Sequence, residues 1–229
     1  MTASAEERRE RLVELFKEVQ ACTKCPLHET RTKAVFGAGN ADAELMFVGE
    51  APGADEDRQG LPFVGRAGQL LNQLLEEIGL SREDVFIANV LKSRPPGNRD
   101  PQPFEIQACE PYLFEQVRLI QPKVVCTLGN FATKLLSGSQ VGITKVRGTP
   151  QLHELGGRPV FLLPLLHPAA ALRTPSMKET LQADFATIPG LLSGPPPEPA
   201  PSAEEMEAAD DMPPSESEPP PADQLGFFG

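Results

Sequence analysis

Four short apolar runs, each closed by glycine, proline or a polar turn, constrain the fold of this chain more than any other feature. They are ELMFVGEAPG (44–53), DVFIANVLK (84–92), PKVVCTLG (122–129) and RPVFLLPLLHP (158–168). Segments so apolar read as strands buried on both faces. Helical patterns separate them. Leu12, Leu15, Phe16 and Val19 follow the i, i+3, i+4, i+7 spacing of a helix facing inward, which Pro26 should stop. Residues 66–79 present Leu70, Leu71, Leu74, Leu75 and Ile78 on one side, with Gly79 as C-cap. Further helices are expected at 103–120, with Asp100 as N-cap and Pro101 in the first turn, at 130–137 and at 176–189. Strands alternating with helices imply an α/β fold with a parallel sheet covered on both faces. Such sheets bind ligands at the carboxyl ends of their strands. Four segments should therefore converge there: GEAPGADED (49–57), NVLKSRPPGNR (89–99), TLGN (127–130) and HPAAALR (167–173).

The net charge of −11 argues against a nucleic-acid partner only until its distribution is read. Residues 191–229 carry nine acids and no Lys or Arg, with ten prolines between Pro195 and Pro221. Such a segment cannot bury enough apolar surface to offset its chain entropy, so a disordered acidic tail is expected. Removing its nine acids from the chain's 32 leaves 23 against 21 Lys and Arg, a near-neutral body able to carry a basic face. No stretch of about 18 apolar residues occurs. The charged MTASAEERRERL does not read as a secretory signal. A cytoplasmic location is expected, in which Cys22-x-x-Cys25 reads as a metal or redox site rather than half of a disulfide pair.

GEAPGADED (49–57), GLPFVGRAG (60–68), NVLKSRPPGNR (89–99), ACEPYL (108–113) and HPAAAL (167–172) carry a resemblance. Together they make the chain, over roughly residues 10–190, similar to the family 4 uracil-DNA glycosylases, the iron–sulfur branch of the uracil glycosylase superfamily. The resemblance implies a three-layer α/β/α sandwich with a four-stranded parallel sheet. It also implies a monofunctional enzyme that flips uracil out of DNA and hydrolyses its N-glycosidic bond, leaving an abasic site. On that basis His167 donates to uracil O2, where negative charge develops, and Asn89 pairs with N3–H and O4. Phe63 stacks on the base. Gly49, Glu50 and Ala51 form the turn against it, with Glu50 near C5 where a thymine methyl would clash. Glu56 is the candidate for a polar catalytic role near the sugar, with Asp55 and Asp57 beside it. Taken singly, His167 reads equally as a strand-end cap, Asn89 as a turn residue, Phe63 as core, and the three acids as a solvated loop. Arg94, Arg99, Arg173, Lys92 and Lys178 are candidates to hold phosphates, and Leu172 with Arg173 to fill the gap left by the flipped base. The loop RPPGNRDPQP (94–103) lacks the histidine of superfamily members that crosslink to uracil sites, so turnover is expected. The competing reading is a non-catalytic DNA- or clamp-binding accessory protein that retains the fold.

The resemblance also implies a 4Fe-4S cluster, with Cys22, Cys25 and Cys109 matching three of its ligands. Its fourth ligand is a cysteine where this chain has Ser93, in Lys92-Ser93-Arg94-Pro95-Pro96. Three outcomes stay open: Ser93 as an oxygen ligand, Cys126 as a substitute, or a labile, three-iron or absent cluster. Finally, Gln224, Leu225, Phe227 and Phe228 resemble the peptide by which bacterial repair proteins grip the sliding clamp. The chain therefore divides into a glycosylase domain (1–190), a Pro/Glu-rich linker (191–223) and a candidate clamp peptide (224–229), and a monomer is expected.

Overall fold

The computed structural model describes residues 3–198. Helix α1 (Ala5–Gln20) starts in a capping box, Ser4 accepting from the Glu7 amide while Glu7 reaches back to the Ser4 amide. After it come α2 (Leu27–Thr30), strands β1 (Ala38–Gly39) and β2 (Leu45–Gly49), α3 (Ala54–Gln59), α4 (Arg66–Glu77) and β3 (Phe86–Asn89). The second half runs through α5 (Pro103–Ile120), β4 (Val124–Leu128), α6 (Asn130–Ser137), α7 (Ile143–Val146), β5 (Gln151–Leu155) and β6 (Arg158–Leu165). It closes with α8 (Pro168–Ala171), α9 (Pro175–Phe185) and α10 (Ile188–Ser193).

The sheet has six strands in the order β1-β3-β2-β4-β6-β5, rather than the four expected. Its central four, β3, β2, β4 and β6, are parallel and are the four apolar runs. The two additions are antiparallel edges. β1 is two small residues with no strand signature. β5, QLHEL, alternates in burial because only one of its faces is covered, and it joins β6 through Gly156 and Gly157, both at positive φ.

Successive residues of each central strand enter opposite layers. Met46, Val48, Ala88 and Val125 pack with Leu113 and Val117 on one face. Leu45, Phe47, Ile87 and Cys126 pack with Leu71, Leu74 and Phe185 on the other.

Several boundaries differ from expectation. α1 stops at Gln20, and Pro26 instead opens α2. Phe16 is 45% exposed and meets Phe36 edge-on at 5.6 Å, so it borders the core rather than filling it. α5 is capped by Gln102, not Asp100, because Glu105 in its first turn reaches back to the Gln102 amide at 2.8 Å. The expected last helix is two: α9 ends at Phe185, and α10 restarts where Pro189 has no N–H to continue a ladder. α10 runs to Ser193, past the expected boundary at 190, and is tied down by Lys123 Nζ donating to the Leu192 carbonyl at 2.6 Å. The rest of the linker beyond 198 and the peptide 224–229 lie outside the described residues. No helix among the described residues is long and apolar enough to cross a membrane.

Phe185 locks α9 to the sheet, stacking on Phe47 with centroids 5.6 Å apart. Phe185→Ala is expected to cost about 3–5 kcal/mol of folding stability. Urea unfolding should show a lower midpoint at unchanged slope; a midpoint within error of the parent would place the packing energy elsewhere.

Candidate active site

The carboxyl ends of β2, β3 and β6 open into a cavity of about 600 Å³. Asn89 ends β3 and pairs in register with Gly49, which ends β2. Gly49 is needed there: a Cβ would collide with Asn89 Oδ1 and with the Phe63 ring, 2.7 Å from its Cζ. Asn89 is 2% exposed and lines the cavity. Its Oδ1 is the one buried side-chain polar atom among the described residues that has no hydrogen-bond partner. An orphaned acceptor of this kind costs about 1–3 kcal/mol until something donates to it.

Phe63 forms another wall, on a backbone at φ +51°, the left-handed region that disfavours a bulky residue. Both sides of the turn hold that geometry. Arg82 Nη1 donates to the Phe63 carbonyl at 2.9 Å, and its Nη2 to the Pro62 carbonyl at 2.7 Å. Glu56 Oε1 accepts the Val64 and Gly65 amides, each at 2.9 Å. Gly68 completes the fit, because a Cβ there would run into the Phe63 carbonyl.

His167 caps α8, its Nδ1 accepting from the Ala169 amide at 3.0 Å. That bond assigns the ring proton to Nε2. Burial pushes the imidazole down to about pKa 4, with nearby Glu56 opposing the shift. The ring lies 28° from the plane of Phe63, centroids 5.7 Å apart. The cavity therefore presents an unpaired amide acceptor, an aromatic face and a neutral N–H donor.

Residues 36–187 match the model of the Uracil DNA glycosylase superfamily. The type-4 uracil-DNA glycosylase of Thermotoga maritima is 51% identical over 170 residues, 73% of this chain and 87% of that protein. That of Sulfurisphaera tokodaii is 49% identical over 183 residues, 77% and 83% of the two chains. That of Archaeoglobus fulgidus is 46% identical over 189 residues, 81% and 94%. The chain belongs to the type-4 branch of the uracil-DNA glycosylase superfamily.

Within this member of the superfamily the loop acids separate cleanly. Asp57 is buried and accepts the Thr32 amide at 3.0 and 3.1 Å, and Asp55 pairs with Arg58. Glu56 alone of the three lines the cavity. Glu50 and Ala51 line it too, and burial, with Asp100 beside it, raises the Glu50 carboxyl above its ordinary pKa.

The expected phosphate cations divide. Arg173 is exposed at the cavity wall, with Leu172, 40% exposed, next to it. Arg94 bonds Asn98 Oδ1 at 2.7 Å. Arg99 is engaged by the buried Glu105 through two bonds of 2.9 and 2.5 Å. Lys178 is half-buried on α9. Lys92 is not at the mouth. It is 2% exposed, its Nζ donating to the Asn89 carbonyl at 2.7 Å and Gln116 Oε1 at 2.6 Å. Burial lowers it to about pKa 7. Sequence reasoning missed that strut, and also Arg82 and the wall residues Ala67, Asn98 and Asp100. The motifs GRAG and GNRD contained the last three, but nothing in their pattern marked a wall.

The thiols also divide. Cys22 and Cys25 are half-buried and Cys109 is buried, all in the layer of α1 and α5. The Lys92 amide donates to Cys109 Sγ at 3.5 Å, and the buried Ser93, next in the chain, accepts from Arg31 at 3.1 Å. Cys126 faces the opposite layer, paired across the sheet with Phe47 and Leu163, so it cannot substitute as a ligand. No three His, Cys, Asp or Glu side chains among the described residues are grouped so as to hold a metal ion.

Because its folded pKa lies below the ordinary 6.5, His167 stays neutral in the folded chain while the unfolded chain binds a proton between pH 6.5 and 4. Its contribution to stability should fall as pH drops through that window and level off below it. NMR of the labelled imidazole should show a midpoint near 4; a midpoint near 6.5 would contradict the buried, amide-anchored ring.

Proposed function

We infer that the protein is a monofunctional uracil-DNA glycosylase acting in base excision repair. The orphaned Oδ1 of Asn89 carries this reading, since it sits in a cavity that also offers an aromatic wall and the neutral Nε2–H of His167. Uracil flipped from DNA supplies what the cavity lacks. Its N3–H donates to Asn89 Oδ1, its O4 accepts from the same carboxamide, and its O2 accepts from His167. Phe63 takes the base face. Cytosine has no N3–H and turns a donor toward the carboxamide nitrogen, leaving buried groups unpaired. Glu50 and the turn Gly49–Ala51 close the space at C5 against the thymine methyl.

The C1′–N1 bond breaks with its electron pair moving to the base, so charge grows on N1 and O2. His167 stabilises it without having to give up a proton. Glu56 faces the positive sugar and orients the water whose oxygen bonds to C1′, the water's proton passing to solvent. Arg173 and Arg94 hold flanking phosphates and Leu172 fills the gap, while Arg99 stays paired with Glu105. The protein works as a cytoplasmic, nucleoid-associated monomer.

Three thiols in one layer are donors of the kind an iron–sulfur cluster takes, with Ser93 where the resemblance puts a fourth thiol. Cys22, Cys25 and Cys109 would hold it. A bound cluster would supply a tie between the segment after α1 and α5.

End-labelled DNA with one uracil, treated with the protein and then alkali, should break only at uracil, with thymine and cytosine controls intact. His167→Ala should slow cleavage by about 10²–10³-fold. Asn89→Ala should lose about 1–3 kcal/mol, with discrimination against cytosine falling too. No cleavage by folded, iron-loaded protein would leave only the binding-protein reading.

The segment Gln224, Leu225, Phe227 and Phe228 reads as a tether to a sliding clamp, Gln224 at the pocket rim and the apolar side chains within. An acidic, proline-rich segment precedes it in the sequence. Full-length protein should bind clamp at micromolar concentration. Deleting residues 224–229 should abolish that binding while leaving cleavage of short free DNA unchanged. Equal clamp binding by both forms would end this reading.

A further inference from the structure

We propose that Arg82 is a positioning residue for the reaction, acting on the flipped base only through Phe63. The proposal rests on the glycosylase reading above. It concerns a residue outside every motif that carries the resemblance.

The cavity places an aromatic face where the backbone resists one. Phe63 stands at φ +51°, a conformation glycine adopts freely but without a ring to offer. The ring lies against Gly49 on the sheet side, and Gly68 approaches the Phe63 carbonyl from α4. The direction of the ring is set by the two peptide planes that meet at the Phe63 Cα. The plane before it carries the Pro62 carbonyl and fixes φ. The plane after it carries the Phe63 carbonyl and the Val64 amide and fixes ψ.

Arg82 grips both planes. Its Nη2 donates to the Pro62 carbonyl at 2.7 Å and its Nη1 to the Phe63 carbonyl at 2.9 Å. Glu56 reaches only the second plane and the one beyond it, through the Val64 and Gly65 amides. Of these two side chains, Arg82 alone fixes φ.

The guanidinium is itself aimed. Nη1 also donates to Asn72 Oδ1 on α4 at 3.2 Å. Asp84 Oδ2 accepts the Ser81 amide and hydroxyl, each at 2.7 Å, which closes the turn carrying Arg82 toward β3. All three acceptors of the guanidinium are neutral, so its charge is spent on orientation. A planar fork meets two carbonyls at once, whereas a lysine ammonium is a point donor. Without the fork, the base has to order its own platform on entering. A displacement of about 1 Å in a group that places substrate can cost about 10²-fold in rate.

The test is a double-mutant cycle on full-length protein, read by single-turnover cleavage of end-labelled uracil DNA. It compares wild type, Arg82→Gln, Phe63→Ala and the double variant. Arg82→Gln should slow cleavage by about 10–10²-fold alone, and by no more than about twofold in the Phe63→Ala background. Equal losses in both backgrounds would make Arg82 a general prop of the fold and overturn the proposal, as would a single variant as fast as wild type. Urea midpoints accompany each rate. Where Arg82→Gln is unfolded at the assay temperature, Arg82→Lys and Asn72→Ala replace it in the cycle and are read in the same way. NMR of the labelled histidines supplies a readout that needs no cleavage, because the Phe63 ring stacks on His167 with centroids 5.7 Å apart. In Arg82→Gln the His167 ring signals should move toward their Phe63→Ala positions, while those of His28 and His153 stay in place. Unmoved His167 signals overturn the proposal. A wild type that cleaves no uracil DNA overturns the glycosylase reading and the catalytic side of this role; moved His167 signals would then still keep Arg82 as the holder of Phe63.

Discussion

Parallel pairing of β2 with β3 brings Gly49 opposite Asn89 at the last step of the ladder, and the rest of the site is arranged around that contact. The pairing continues past both strands, with the Val90 amide on the Gly49 carbonyl at 2.9 Å and the Leu91 amide on the Glu50 carbonyl at 3.0 Å. Asn89 is thus held from the sheet side. From the α5 layer, Lys92 Nζ binds the Asn89 carbonyl and Gln116, and Gln116 Nε2 donates to the Phe36 carbonyl at 2.9 Å. A buried strut of this kind is costly unless each member is satisfied, and here each is. Its main product is a fixed backbone under a side chain whose own acceptor is left free.

The two helical layers serve different walls. The α4 layer shapes the aromatic one: Gly68 permits the close approach, while Arg82 on one side and Glu56 on the other hold Phe63 in a backbone conformation it would not choose. The α5 layer supports the amide wall and gathers Cys22, Cys25 and Cys109. Unfavourable features concentrate in the cavity: the positive φ of Phe63, the orphaned acceptor of Asn89 and the depressed basicity of His167. Strain at such a point persists only where its surroundings over-determine it. Both hydrophobic layers provide that support on either face of the sheet.

The four central strands and most helices were legible because burial on both faces writes itself as apolar runs, and one-sided burial as helical period. The edges were not. β1 has too few residues to show a period, and β5 alternates without an apolar run. Positions in the site were legible where motif and strand end coincided, as at Asn89 and His167. They were illegible where rotamer and partner decide. Nothing in GADED distinguishes the acid turned to Thr32 from the one facing the cavity. Lys92 looked like a surface cation because a lysine in a polar loop usually is one. Its burial depends on Gln116, 24 residues away on another element. Cys126 on β4 and Cys109 on α5 lie in opposite layers, which requires knowing which face of the sheet Cys126 takes and which face α5 covers.

Charge pairing explains how a near-neutral body would engage DNA. Among the described residues, Arg8 and Arg9 meet Asp42, Arg11 meets Glu14 and Glu18, Arg58 meets Asp55, Arg118 meets Glu115 and Arg147 meets Asp184. With Arg99 held by Glu105, Arg173 on the cavity wall, Arg94 bonded to the wall residue Asn98 and the exposed Arg66 next to the wall residue Ala67 are cations without a carboxylate partner. Few phosphate contacts imply a shallow salt dependence and a modest hold on undamaged duplex. On the proposed reading, recognition would rest on the flipped base filling the cavity, where the unpaired Asn89 acceptor rewards one pyrimidine edge over another. On the proposed reading, a tether near newly copied DNA would serve such an enzyme better than a larger basic face. Added surface charge would lengthen its stay on every undamaged stretch, whereas a tether raises local concentration without changing what the cavity accepts.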